Sequence, residues 1–403
     1  CIPGDNSLPV FLIPYDVHEK KRSKLNTLSN VVSNYYVLFK FVEWKEKHPI
    51  GCIVDIIGPV SNMSYFYKYQ IYLENLYFPK SKRNNMIRKK IKALSTQYDN
   101  KTSEHSIISA VATTVKNIKD RTAETIISID PQGSLDLDDA FGCVQITQDM
   151  YKVSVCIANV PIWLSALEYW EHLPTTPATI YMPDIKHPML PNILGDDLIS
   201  LVQNKPRIVL AMDIYISSCG IAEKIEFNSA IINVKQNFTY NDNLHKHPVY
   251  SDLYNLAKNC NNIRRYMDSI DNSHDVVAFW MLCMNHEVGL KLQYKNTGIF
   301  RSTQESNVKT IHTPCFQKSM NVPANIVKIV HNWEKEKAIY TDAKSNQGHC
   351  YIGNGITAYA HSTSPIRRMV DIINLTRLQV MLNIIKPTST LLNVCNYYEN
   401  NTA

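Results

Sequence analysis

Asp130, Asp136, Asp138 and Asp139 fall within ten residues of one another, in the stretch Asp130-Pro131-Gln132-Gly133-Ser134-Leu135-Asp136-Leu137-Asp138-Asp139-Ala140. Carboxylates this close raise one another's pKa and destabilise a fold unless a counter-charge neutralises them. Hard carboxylate oxygens without Cys or His beside them point to Mg²⁺ or Mn²⁺, ions that serve phosphate chemistry. An EF-hand is a poor alternative, because its ladder needs Gly at the sixth position and Glu at the twelfth, and the twelfth residue from Asp130 is Phe141. A solvated acidic turn is the plain competing reading. The spacing D-P-x4-D-x-D-D at the end of a β-branched run favours a metal site.

The elements that must position these groups follow from the flanking pattern. Thr125-Ile126-Ile127-Ser128-Ile129 reads as a strand leading into the loop. Asp136 and Asp138, two apart, would share one face of extended chain, and Asp139 would face away. For Asp139 to join them the chain must bend, and Pro131, Gly133 and Ser134 are the residues expected to do so. Residues 151–160 and 208–216 read as further strands of a mixed sheet, and Val276–Leu292 and Pro365–Leu382 as helices. Ser364 is the expected cap of the second helix and Pro365 its first residue. That start would place Arg367 and Arg368 beside free backbone N–H groups, where arginine and helix terminus can hold a phosphate together. The alternative for one arginine is a pair with Asp371. Before the loop, residues 8–14, 35–41 and 51–58 are short β-rich runs and suggest a small barrel. Residues 81–120 form a basic connector that either contacts phosphates or presents a solvated face.

The aspartate loop resembles the signature of the ribonuclease II, or RNB, family of exoribonucleases, and further stretches match in order. Tyr181-Met182-Pro183-Asp184-Ile185-Lys186-His187-Pro188-Met189-Leu190-Pro191 resembles Y-x-P-x4-P-M-L-P, and Leu198-Ile199-Ser200-Leu201 resembles L-x-S-L. Gly348-His349 and Tyr359-Ala360-His361-Ser362-Thr363-Ser364-Pro365-Ile366-Arg367-Arg368 resemble the family's G-H and Y-T-H-F-T-S-P-I-R-R segments. The resemblance implies an α+β fold: an RNB catalytic domain over 121–403, a mixed β-sheet with surrounding helices, preceded over 1–80 by an all-β OB-fold domain of cold-shock type as in eukaryotic members, which the order of the early runs and the Tyr69-Gln70-Ile71-Tyr72-Leu73 segment resemble. It also implies a C-terminal OB barrel for which 403 residues leave no room, and a chain opening at Cys1 reads as a fragment.

The implied activity is hydrolysis of single-stranded RNA from the 3′ end to nucleoside 5′-monophosphates. On the matched motifs, Asp138 and Arg367 are the catalytic residues, Asp130, Asp136 and Asp139 the ligands of Mg²⁺ or Mn²⁺, and Tyr181, Tyr240 and Arg368 the RNA contacts. His349 and His361 read as hydrogen-bonding residues rather than zinc ligands. Departures mark a divergent member: Asn159 stands where the family has Asp, Ser362 where it has Phe and Met369 where it has Tyr. Asn- and Lys-rich loops fit a viral or AT-rich genome.

Composition sets wider bounds. With 45% hydrophobic residues the chain can bury a real core, and a net charge of +6 suits a polyanionic partner without requiring one. Ten cysteines without CxxC pairs suggest a reducing intracellular compartment, cytoplasmic or nuclear. No apolar run reaches the roughly 18 residues that span a bilayer, so no membrane partner is expected. Two other classes compete with the nuclease: an inactive RNA-binding module keeping the RNB shape, against which the intact D-x5-D-x-D-D argues, and a metal-dependent phosphohydrolase of a small substrate.

Overall fold

The computed structural model describes residues 2–4, 7–13, 34–74, 76, 80–99, 104–174, 176–183, 185–302, 338–344 and 356–402, and the chain divides into two compact units. His349 and the Gly348-His349 pair lie outside the described residues.

The first unit comprises Cys1–Pro79 and Ile180–His187. In it β1 (Tyr35–Glu43) pairs antiparallel with β2 (Ile50–Pro59). Asn62 then caps α1 (Met63–Leu73), its side-chain oxygen accepting the Ser64 N–H at 3.0 Å, and Tyr69 stacks on Tyr36 with ring centres 4.5 Å apart. The placing of Tyr69–Leu73 in an all-β domain by resemblance is corrected by this helix: aromatic residues favour strands in isolation, but a capped start and burial of Ile71 on one face decide the local structure. Two short strands, Ile180–Tyr181 and Lys186–His187, form a separate antiparallel ladder in the unit. Of the barrel expected over 1–80, the described residues show β1, β2 and α1.

The second unit comprises Lys80–Thr179 and Pro188–Ala403. Its basic opening stretch folds into α2 (Lys80–Asp99) and α3 (Glu104–Thr113). Strands β3 (Lys119–Asp130), β4 (Asp139–Thr147), β5 (Met150–Ala158), β6 (Pro206–Ser217) and β7 (Ala222–Thr239) close into a barrel. Successive strands are antiparallel, and a parallel β3–β7 pair closes the ring, with Ile129 beside Phe238 and Asp130 beside Thr239. The mixed sheet expected from the sequence is thus a closed one, which removes its edges. Neighbouring residues serve opposite faces, as strand periodicity requires: Ile126 joins a core with Trp163 and Ile372, and Ile127 a core with Trp280 and Phe141.

Helices α4 (Val160–Ala166), α5 (Pro248–Arg264), α6 (Ser273–Tyr294), α7 (Met369–Met381) and α8 (Ser389–Thr402) surround the barrel strands. The capping box of Asn272 and Asp275 starts α6. The start expected for the last predicted helix is corrected: α7 begins at Met369, not at Pro365. Arg367 and Arg368 both donate their N–H to the Ser364 carbonyl, at 3.2 and 3.0 Å, in a tight turn. Arg368 is then extended (φ −134°, ψ 128°) and bridges Ala178, while Met369 N–H reaches Pro177 O at 2.7 Å. These ties to the 177–179 segment hold the chain out of helical geometry. Among the described residues no helix is long and apolar enough to cross a membrane.

Candidate active site

β3 ends at Asp130 and β4 starts at Asp139, so the barrel itself sets both ends of the aspartate loop. Between them Ser134 N–H turns back to Pro131 O at 3.2 Å, and Gly133 sits at φ +82°, a conformation that side chains disfavour. The return limb is sewn to the neighbouring segment. Ser200 Oγ donates to Leu135 O at 2.7 Å and accepts Leu137 N–H at 3.1 Å, while Leu201 N–H reaches Leu137 O at 3.0 Å. The Asp138 carbonyl takes the Ala158 N–H at 2.8 Å. Nothing in its side-chain chemistry singles out Ser200, yet it is fully buried and fixes the loop.

Asp138 is the most enclosed of the four carboxylates. Its Oδ1 accepts the Ile366 N–H at 2.8 Å, and its Oδ2 faces Arg367 Nε at 3.4 Å. Burial raises its pKa to about 8, helped by the charges of Asp371 and Asp136 and opposed by the Ile366 N–H and Arg367. Burial likewise raises Asp130 to about 6, with Asp136 adding to the effect and Ser128 and Arg367 opposing it. Asp139 is pushed well up by burial and then by the charges of Asp130 and Asp138. Asp136, half-buried, is the like charge acting on both Asp130 and Asp138.

Arg367 is the cation felt by Asp130, Asp138 and Asp139 alike, and its side chain stays 42% exposed. Its Nη2 donates to Ser364 Oγ at 2.8 Å. Arg368 is held inward: its Nη2 donates to Asp371 Oδ1 at 2.9 Å and its Nε lies 2.8 Å from Oδ2. Asp371 is fully buried and also accepts the Ser364 N–H at 2.8 Å. The alternative weighed for one arginine, a pair with Asp371, therefore describes Arg368. The expected cradle of free N–H groups at a helix start is corrected with the helix boundary: Ile366 N–H is already spent on Asp138.

The parallel β3–β7 pairing brings Tyr240 to the loop, its N–H donating to Asp130 O at 3.2 Å. Burial raises its phenol above the ordinary range, and the charges of Asp139 and Asp130 raise it further. Tyr181 stands in the first unit with its side chain 54% exposed. Asn285 on α6 anchors the segment before the arginines, its Oδ1 accepting Ser362 N–H at 2.8 Å and its Nδ2 donating to Tyr359 Oη at 3.0 Å. His361 Nδ1 shares a 2.9 Å hydrogen bond with Tyr340 Oη.

Among the described residues, no three His, Cys, Asp or Glu side chains converge as a ready-made metal centre. The chemistry of the donors nevertheless suits a hard cation. Asp130 Oδ2 and Asp139 Oδ2 are buried oxygens without a hydrogen-bond partner, and an added positive charge would offset the burial and the mutual repulsion that raise the pKa of both carboxyls.

Residues 118–245, which include the whole loop and Tyr240, match the family described as RNB domain. Over that stretch the chain is similar to RNB domains. It is 28% identical over 323 residues to ribonuclease R of Mycoplasmopsis pulmonis, an alignment covering 64% of this chain and 44% of that protein. It is 36% identical over 124 residues to exoribonuclease 2 of Escherichia coli O157:H7, covering 30% and 19%. The chain thus spans less than half the length of these curated relatives. Among solved structures, RNase R of Mycoplasma genitalium in complex with ribose-methylated single-stranded RNA has a similar fold, with TM-score 0.64 at 17% identity over 98% of this chain and 70% of that one. Yeast Ssd1, a pseudonuclease, is similar at TM-score 0.61 and 14% identity, over 99% and 56%. The RNB-type fold is accordingly a mixed α+β one.

Proposed function

We propose that this chain is a hydrolytic 3′-to-5′ exoribonuclease that releases nucleoside 5′-monophosphates from single-stranded RNA. The observation that carries the reading is that Asp130, Asp138 and Asp139, on a loop inside the stretch matched to the RNB domain, share the half-exposed guanidinium of Arg367, with Asp136 acting on Asp130 and Asp138. In this reading Arg367 takes two oxygens of the scissile phosphate through its planar fork. Asp138 keeps that guanidinium aimed and, with a pKa of about 8, can accept or return a proton near neutral pH. Asp130, Asp136 and Asp139 would hold Mg²⁺ or Mn²⁺, which when bound supplies a more acidic water and neutralises charge on the phosphate. Tyr240 would border the terminal nucleotide, and Tyr181 would offer a ring face to an unpaired base.

The first unit would serve as an RNA-holding module of OB type, a reading that rests on the order of its β-rich runs and on the β1–β2 pair. The described cysteines are all free thiols, which supports a reducing cytoplasmic or nuclear setting. The likeness to a pseudonuclease favours one rival, an RNA-binding module without turnover. Single-stranded RNA labelled at the 3′ or the 5′ end, incubated with Mg²⁺ or EDTA, separates the two. Immediate mononucleotide release from the 3′ label, progressive shortening of the 5′ label and loss of both in EDTA are expected. Tight binding of intact RNA with Mg²⁺ present selects the rival.

A further inference from the structure

The twenty residues of α2 contain seven Lys or Arg and one acid, Asp99, so this helix carries a charge equal to the +6 of the whole chain. Its inner face is apolar: Ile87 and Ile91, four apart, are buried in the core that also holds Ile107 and Val111. Two of its cations also point inward. Arg83 bonds the Met189 carbonyl, and Lys90 reaches Glu168 O at 3.2 Å. Arg88, Lys89 and Lys92 occupy the outer face, exposed, and none of their side chains has a hydrogen bond or ion pair among the described residues. The positions three and four residues from each hold Asn, Ile, Met, Ala, Ser, Thr or another cation, never a carboxylate. Arg88 and Lys92 therefore repel each other across one turn, a cost that a polyanion would remove.

We propose that the outer face of α2 is a binding surface for the phosphodiester backbone of RNA outside the reacting end, gripping it through Arg88, Lys89 and Lys92. The surface deepens the exoribonuclease reading and rests on it for the identity of the polyanion. Phosphate contacts of this kind position a strand without reading its sequence. An anionic membrane is the less suitable partner: interfacial helices insert large apolar side chains beside their cations, and α2 exposes none among its described side chains. Three cations add sequence-independent, salt-sensitive affinity for long RNA, while a fragment too short to leave the active site gains nothing from them.

The test uses fluorescence anisotropy of a long oligouridylate and of a pentamer, titrated with salt in an Asp138→Asn background to keep the RNA intact. The variant Arg88→Glu/Lys89→Glu/Lys92→Glu should weaken long-RNA binding by at least ~tenfold and lower the log-log salt slope by about 2, the value for three phosphates of a single strand. Pentamer turnover by the same triple variant in the otherwise wild-type chain should not change. A control replacing the exposed Lys224, Lys258 and Lys295 by Glu alters net charge equally and should keep long-RNA affinity. The alanine triple variant should show the same slope change with an unaltered Tm, since the three side chains have no partners to lose. Unchanged affinity and slope in the α2 variants would overturn the proposal while leaving the nuclease reading intact. So would an equal loss in the scattered-lysine control. Helix-dependent RNA binding by a wild-type chain that cleaves nothing would support this surface and overturn the nuclease reading. Failure of the parent chain to bind RNA at all would overturn both.

Discussion

Asp138 holds Arg367 twice over: its Oδ2 lies 3.4 Å from the arginine Nε, and its Oδ1 accepts, at 2.8 Å, the N–H of Ile366, the residue just before it. One buried carboxylate thereby fixes both the guanidinium and the turn that carries it. Asp371 does the same for the other end of the turn, through Ser364 and Arg368.

The two adjacent arginines are therefore expected to fail differently. Arg367→Lys keeps the charge but loses the fork, and should lower single-turnover cleavage by ~100-fold or more. Its half-exposed side chain leaves stability within ~1 kcal/mol. Arg368→Ala strands a fully buried Asp371 and should cost ~3 kcal/mol of stability. Cleavage and thermal melts on both variants decide the matter; unimpaired cleavage by Arg367→Lys would remove the phosphate clamp from the account.

Ser200→Ala should act on the site from a distance in sequence. Leu137 N–H and Leu135 C=O lose their shared hydroxyl, at a cost of ~1–3 kcal/mol for buried groups left unpaired. The aspartates on the same limb lose their register, so cleavage should fall at temperatures where the variant is fully folded. A variant that melts earlier but cleaves normally would show that the loop holds its shape without this hydroxyl.

Stability without divalent ions should fall as pH rises from 6.5 to 8. Asp138 has a folded pKa of about 8 against an ordinary 3.8, so in this range the folded state holds a proton that the unfolded state has released, and stability drops with each step upward. Asp139 shifts the same way. His286, whose lowered pKa works in the opposite sense, acts below its ordinary 6.5, and the depressed Glu104 and Glu124 act below 4.5, both outside the window. Melts in EDTA should show the fall, Asp138→Asn should flatten it, and Mg²⁺ should raise Tm more at pH 8 than at pH 6.5. A Tm that climbs with pH in EDTA would contradict the raised carboxyl pKa values.

Local chemistry made the strand before Asp130 legible, because β-branched residues followed by Pro, Gly and acids leave few alternatives. It made α6 legible through its length and periodicity. The closure of the barrel was not legible, since the β3–β7 pair joins Asp130 to Thr239, and no local pattern encodes a partner a hundred residues away. The polar and apolar mixture of β7 hides an 18-residue strand for the same reason. The start of α7 was misread because Ser-Pro is a good helix opening on its own, whereas the bridge of Arg368 to Ala178 overrides it. Ser200 lay inside a recognised motif and Asp371 was an expected arginine partner, but the hydrogen bonds of Ser200 to Leu135 and Leu137 and of Asp371 to Ser364 belong to the folded chain.

The most direct measurement is the rate of mononucleotide release from 3′-labelled unstructured RNA by the wild-type chain and by Asp138→Asn, with the Kd of each determined separately. The amide keeps the volume of the side chain and an oxygen for Ile366 N–H, and removes the ionisable oxygen that faces Arg367. The account predicts that turnover falls by well over ~tenfold, or ~1.4 kcal/mol in the barrier, while affinity for RNA stays nearly unchanged. A variant that keeps more than ~10% of wild-type turnover, a smaller barrier change than that, would contradict the central role given to Asp138, as would a loss of turnover matched by an equal loss of binding.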